Sequence, residues 1–307
     1  MNTETPAGNA RRRRQLGMLA IVLLAAAAAA HFLWPAVRDS RRQAVLVWTA
    51  EGRSGCPMGP VAASRDGRAY AANRNRSEVW ALDASGATQA RWRIPNGARP
   101  YGLAVDAKGN VRVLASKPAG DCHILTYTPK GRLIGRVLCR EGSCSLAIAP
   151  DGSSYTSPGG ALLVKVEAGA GPSTMSDRTM LYDTLVGVWQ DGSACFLLKG
   201  ARPVPSSSAS STLQQFRSDG ALGWRLAGVR RAGMSPGGAL YVLPEKGRWV
   251  ERYSASGRRT GRWRLDGATF SDGLAADGLG NVYTWEWAPG AGEKIAKYRL
   301  PGDRPDR

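Results

Sequence analysis

The chain repeats itself. A unit of two short apolar strands joined by an Asp-Gly-type turn returns six times. Its turn glycines are Gly67, Gly109, Gly152, Gly192, Gly238 and Gly280, at intervals of 42, 43, 40, 46 and 42 residues. The copies read VAASRDGRAYAA from Val61, LAVDAKGNVRVLA from Leu103, LAIAPDGSSYTS from Leu146, VGVWQDGSACFLL from Val186, AGMSPGGALYVL from Ala232 and GLAADGLGNVYTW from Gly273. Glycine at each turn supplies the positive φ that a tight hairpin needs. Three residues later stand Tyr70, Tyr155, Tyr241 and Tyr283, with Arg112 and Cys195 in the same slot of the other two units. An aromatic ring at that position suits packing between sheets.

A period near 43 residues with several strands per unit predicts an all-β, six-bladed β-propeller, one four-stranded blade per repeat. A second hairpin recurs inside the units, in turns ending at Gly86, Gly131, Gly220 and Gly257. The strands after it often end in Trp-Arg, as in RWRI from Arg91 and RWRL from Arg262. In these strands Trp is expected to pack inward while alternate arginines meet solvent. The third unit lacks a clean second hairpin, and the fourth carries a Pro- and Ser-rich insertion, KGARPVPSSSASS. The last unit runs out after three strands at Leu300, ahead of a polar tail, 301–307. The segment AVLVWTAEG from Ala44 is expected to supply its fourth strand, closing the ring and covering an open sheet edge.

The pattern apolar-Ala-apolar-Asp-x-x-Gly-x-apolar-Tyr-apolar, followed by aromatic-x-x-x-Gly, resembles the NHL repeat over residues 44–300. The resemblance implies the propeller fold. It does not imply one activity, because NHL proteins and their six-bladed relatives include protein-binding, RNA-binding and catalytic members.

Residues 1–43 are of another kind. Arg11 to Arg14 form a basic cluster in the tail 1–15, and an apolar run from Leu16 reaches Val37, 22 residues in all. As a helix that run is long enough to span a bilayer, with Trp34 as an interfacial anchor. The expectation is an uncleaved signal anchor at 16–37 and a linker at 38–43, placing the propeller on the extracytoplasmic side. Ala28 and Ala30 leave a cleaved signal peptide as the alternative, and a buried helix is the third reading.

Five cysteines bear on the compartment. Cys122 and Cys139 fall opposite one another around a turn centred between Lys130 and Gly131, within disulfide reach if the pair has no bulge. Cys144 would compete as partner if the register slips. Cys195 occupies the tyrosine slot as a core thiol, and no spacing suits a zinc ribbon.

The net charge is +18, of which residues 1–43 carry +5, so the propeller itself is strongly basic. Arginine forks suit phosphate and carboxylate groups, although compositional bias also yields such a surface. Loops entering the first strands and loops joining strands two and three share one propeller face. There the sequence gathers Arg53, Arg74, Arg76, Arg99, Lys117, Arg140, Arg202, Arg230, Arg231 and Arg248, with Tyr101 and Trp285 nearby. Glu51, Asp121, Glu141, Asp183, Asp272 and Glu286 are expected on the same face. Such a mouth suits an anionic glycan, a lipid headgroup or an acidic protein segment. RNA ranks behind these, because an exported domain rarely meets it.

The catalytic search returns mostly absences. The two histidines, His31 and His123, supply neither a multi-histidine zinc site nor a recognisable triad. Calcium-dependent, lactonase-like propellers use carboxylates and amides around the channel, and Glu141, Asp183, Asp272 and Asn73 are the residues here that could converge so. The sequence therefore supports first a membrane-anchored, non-catalytic binding or scaffold module needing no cofactor, with its site at Arg53, Arg99, Tyr101, Arg140, Arg230, Arg231 and Arg248. The alternative is a divalent-metal hydrolase or lactonase binding Ca²⁺ through Glu141, Asp183 and Asp272, and a nucleic-acid-binding propeller comes last.

Overall fold

A computed structural model describes residues 42–51, 59–117, 121–139, 142–158, 164–166, 173–174, 183–198, 211–246, 248–265, 271–288 and 292–302. Residues 43–307 form one compact unit. Its described residues make six four-stranded antiparallel sheets. In chain order, β1 (Val45–Glu51) comes first, followed by blade 1, made of β2 (Val61–Ala63), β3 (Ala69–Asn73), β4 (Glu78–Leu82) and β5 (Thr88–Arg93). Blade 2 holds β6 (Arg99–Val105), β7 (Val111–Ser116), β8 (Cys122–Tyr127) and β9 (Leu133–Cys139). Blade 3 holds β10 (Ser143–Ile148), β11 (Ser154–Pro158), β12 (Val164–Val166) and β13 (Ser173–Thr174). Blade 4 holds β14 (Asp183–Val188), β15 (Ala194–Leu198), β16 (Thr212–Phe216) and β17 (Leu222–Ala227). Blade 5 holds β18 (Val229–Met234), β19 (Leu240–Pro244), β20 (Trp249–Tyr253) and β21 (Arg259–Arg264). Blade 6 holds β22 (Ser271–Ala276), β23 (Asn281–Ala288) and β24 (Gly292–Arg299), and β1 pairs antiparallel with β24 as its fourth strand. Blade 3 thus has four strands despite its irregular sequence, with β12 and β13 cut to three and two residues.

The repeat motif has a direct physical cause. All six turn glycines adopt positive φ, between 80° and 88°. The small residue of apolar-Ala-apolar lies opposite the tyrosine slot in every blade: Ala62 faces Tyr70, Ala104 faces Arg112, Ala147 faces Tyr155, Gly187 faces Cys195, Gly233 faces Tyr241 and Ala275 faces Tyr283. The six inner strands crowd around one axis, so the inner member of each pair must be small while the outer can be large. Tyr70, Tyr241 and Tyr283 are at most 1% exposed. Where Arg112 replaces tyrosine, its guanidinium stays half-buried by bonding the Ser154 hydroxyl and lying 3.6 Å from Asp106.

The outer strands follow the alternation expected of them. Trp92 packs against Tyr70 and Tyr127 while Arg91 and Arg93 are exposed. Trp263 is 1% exposed, and Arg264 beside it faces solvent. Polar stitches cross from blade to blade: Trp189 Nε1 donates to the Gly238 carbonyl at 2.9 Å, and Trp263 Nε1 to that of Pro301 at 3.0 Å.

Among the described residues no helix is long and apolar enough to cross a membrane. The segments read as tail, anchor and linker end at residue 43, and 1–41 lie outside the described residues, as does the Ser-rich insertion at 199–210.

Candidate functional site

The axis of the ring is a cavity of about 630 Å³, walled by the six inner strands β2, β6, β10, β14, β18 and β22. Its walls are small and apolar, with Val61, Leu103, Leu146, Val186, Ala232 and Leu274 at equivalent levels. Polarity enters at the two ends.

One end is where the inner strands begin. There Arg74, Tyr101 and Arg231 line the cavity. Arg74 follows β3 in blade 1 and reaches across to blade 2. Its Nε donates to the Pro100 carbonyl at 3.1 Å, and its guanidinium carbon lies 5.2 Å from the centre of the Tyr101 ring. That stacking holds the charge over an aromatic face at the rim. Arg231, from blade 5, is held by a 2.8 Å bond from its Nη1 to the Arg230 carbonyl. The far end carries Arg65 and Asp106. Asp106 accepts bonds from the amides of Lys108 and Asn110 and from the Asn110 side chain, and its carboxylate also faces Arg112, so it is engaged by its own hairpin.

A feature of register shapes the strand-start end. In blades 2, 3, 5 and 6 the inner strand skips one residue against its neighbour at the same point. The residues left out of the ladder are Tyr101, Cys144, Arg230 and Asp272; in blade 4 the skip falls two places further in, at Val186. A bulge kinks the strand and re-aims what it carries, and bulges recur beside functional sites. No local sequence signal announces it, because the skip depends on the partner strand.

The expected site residues distribute as follows. Arg99 is exposed at the start of β6, and Arg248 is exposed just before β20. Tyr101, Arg230 and Arg231 are half-buried at the strand-start end. Asp183 opens β14 and Asp272 is second in β22, so their backbones stand at that same end. Their side chains lie outside the described residues, as do Arg53, Arg140 and Glu141 altogether.

Three residues expected at the mouth are elsewhere. Trp285 is 1% exposed, buried among Val61, Ala71 and Leu82 between blades 6 and 1. Glu286 is fully buried: its Oε1 accepts from Thr284 and Tyr298 hydroxyls at 2.7 Å each, and its Oε2 lies 3.3 Å from Lys294 Nζ. Asn73 is 2% exposed and its carbonyl oxygen accepts the Arg76 amide at 3.0 Å, which removes it from any channel ligand set. Alternation alone points such side chains toward one of two faces without saying what covers that face; for Trp285 it is blade 1.

His123 sits on β8 with Nε2 2.8 Å from Arg136 Nη2, and it does not line the cavity. Burial first and the Arg136 charge second lower its pKa. Among the described residues no group of three His, Cys, Asp or Glu could hold a metal ion. Cys122 and Cys139 are directly opposed in register, at most 5% exposed, with their sulfurs 2.8 Å apart. Cys195 is fully buried, and burial pushes its thiol pKa above the ordinary range, which makes it inert.

No protein-family model matches the chain, and no curated protein matches it. Solved structures do. A luciferin-regenerating enzyme superposes with a TM-score of 0.56 at 9% identity, covering 85% of this chain and 98% of its own. A catalytically inactive virginiamycin B lyase from Staphylococcus aureus, solved with quinupristin, gives 0.51 at 13%, covering 80% and 81%. Regucalcin from Agrobacterium tumefaciens, described as a calcium-binding protein, gives 0.50 at 13%, covering 82% and 95%. At such identities the likeness shows the six-bladed propeller and nothing finer.

Proposed function

We propose that this chain acts on a small anionic molecule at the strand-start mouth of its channel, as a hydrolase- or lactonase-type enzyme rather than as a scaffold. The observation that carries the small-molecule part is the set Arg74, Tyr101 and Arg231 on the rim of a cavity of about 630 Å³ whose side walls carry mainly apolar side chains. That volume lies in the range of ligand pockets, apolar walls with a few convergent polar groups being their usual make-up. The arginines would hold a carboxylate or phosphate, Tyr101 would cover an apolar flank, and the walls would exclude water. The catalytic part is supported by the neighbours, two of which are named as enzymes and one of which was solved with a small molecule. A metal-assisted form would draw on Glu141, Asp183 and Asp272, which the sequence places at inner-strand starts of blades 3, 4 and 6.

The test is turnover of a panel of aryl esters and γ-lactones bearing a carboxylate, with and without calcium. Activity that rises with calcium and disappears in Asp272→Asn supports the proposal. Replacing Arg74 and Arg231 together by Gln should weaken binding of the carboxylate-bearing probes about tenfold or more, the loss expected for hydrogen bonds to a charged group. Binding without turnover would leave a non-catalytic receptor, and neither would remove the site.

The compartment has its own test. Export on an anchor at 16–37 would expose Cys122 and Cys139 to oxidant, and their register suits a bridge worth about 3 kcal/mol by loop entropy. Unfolded protein from an oxidising compartment should then show two more reactive thiols after reduction than before. Equal counts would refute the bridge.

A further inference from the structure

The outermost strand of blade 6 has an unusual surface. Val45, Leu46 and Val47 are consecutive and 43%, 47% and 46% exposed. A regular edge strand hides every second side chain; here the register against β24 skips Val47, and none of the three is hidden. β1 is last in its sheet, so its second edge carries no strand among the described residues. Exposed, apolar edge strands invite association unless something covers them.

The flanks are basic. Arg299 lies directly opposite Val45 and is exposed. On the other side the chain touches blade 5: the Ala44 amide donates to the Arg264 carbonyl at 2.9 Å, and the Arg264 side chain is exposed. An apolar stripe framed by arginines matches an anionic lipid surface, which takes apolar groups at the acyl boundary and cations at the headgroups.

Chain connectivity favours the same occupant. If 16–37 spans a bilayer, residues 38–43 are the whole tether, reaching about 20 Å when fully extended. An anchor there would hold the start of β1 within about that distance of the lipid. We propose that the rim formed by Val45, Leu46 and Val47 with Arg264 and Arg299 rests on an anionic membrane surface. This rests on the anchor reading of 16–37 and is independent of the channel site.

The test uses the full chain in phosphatidylcholine–phosphatidylglycerol nanodiscs, with a nitroxide at Leu46→Cys or, for comparison, at Leu222→Cys on the exposed outer strand of blade 4. Cys56 and Cys144 are replaced by Ser, and the same chain without the new thiol sets the labelling background of the buried Cys122, Cys139 and Cys195. The Leu46 label should meet oxygen in preference to a water-soluble nickel chelate, with a ratio several-fold above that at Leu222. Arg264→Gln with Arg299→Gln, or discs of phosphatidylcholine alone, should reduce the difference. A Leu46 label as open to nickel as the Leu222 label overturns the proposal while leaving the anchor standing. Protein absent from the disc fraction overturns the anchor reading itself, and concentration-dependent spin–spin broadening at Leu46 overturns the lipid occupant in favour of a second copy.

Discussion

Gly233→Ala should destabilise the propeller by about 3 kcal/mol or more, near the upper end of what overpacking a core costs. A β-carbon built at Gly233 comes 2.4 Å from the Leu274 carbonyl oxygen and 3.0 Å from its carbonyl carbon. Those are backbone atoms of the next inner strand, fixed by their own ladder, so no side chain can swing away. Gly233 is not among the residues at positive φ, and its intolerance is steric. Gly220→Ala provides the contrast: nothing lies within 4 Å of its β-carbon, but φ is +78°. It should lose only about 1 kcal/mol, the cost of a left-handed conformation to an L residue. Urea unfolding midpoints of the two variants measure the difference. Equal losses would show that crowding at the axis is not what makes the inner residue small.

Asp277→Ala should cost about 3–5 kcal/mol, because each buried donor left without its acceptor costs about 1–3 kcal/mol. Asp277 is fully buried in the turn between β22 and β23. It accepts the amides of Leu279 and Asn281 at 2.9 and 2.8 Å and the Asn281 side chain at 2.7 Å. The Tyr283 hydroxyl lies 2.9 Å from Oδ2, the oxygen that accepts the Asn281 side chain, and 2.7 Å from the Gly67 carbonyl, and donates its one proton within that pair. Lys297, 5% exposed, lies over the Tyr283 ring and donates to the Ala84 carbonyl at 3.3 Å. Burial lowers the Lys297 pKa, and the charge of Asp277 opposes that shift. These contacts join blade 6 to blade 1 across 216 and 213 residues of chain, so they secure the closed ring. Alanine would leave three donors unpaired and remove a counter-charge from a buried ammonium. Asp277→Asn keeps an acceptor for the two amides and should lose roughly half as much. A wild-type midpoint for Asp277→Ala would show the network to be dispensable.

Where the sequence reading succeeded, each signal was local. A turn glycine needs positive φ whatever surrounds it, and the pairing of Ala or Gly with Tyr across one hairpin follows from crowding at the axis. Hence the blade count and the placement of Tyr70 or Trp263 could be read along the chain. The site was legible only in part. Arg74, Tyr101 and Arg231 could be assigned to a channel end because loop order fixes which end each occupies. Their meeting around one cavity could not, since they come from blades 1, 2 and 5.

The sequence by itself determined the repeat, its turns and the sheets' inner and outer strands, because these depend on neighbours two to ten residues apart. The tertiary structure decided the rest. It buried Trp285 against blade 1 and Glu286 against Thr284, Lys294 and Tyr298 of its own blade, because alternation selects a face without saying what lies against it. It pushed Tyr101, Arg230 and Asp272 out of their ladders, because register is a property of two strands together. The one long-range pairing the sequence did foretell is that of β1 with β24, because a last unit one strand short leaves an edge that the segment from Ala44 is free to cover.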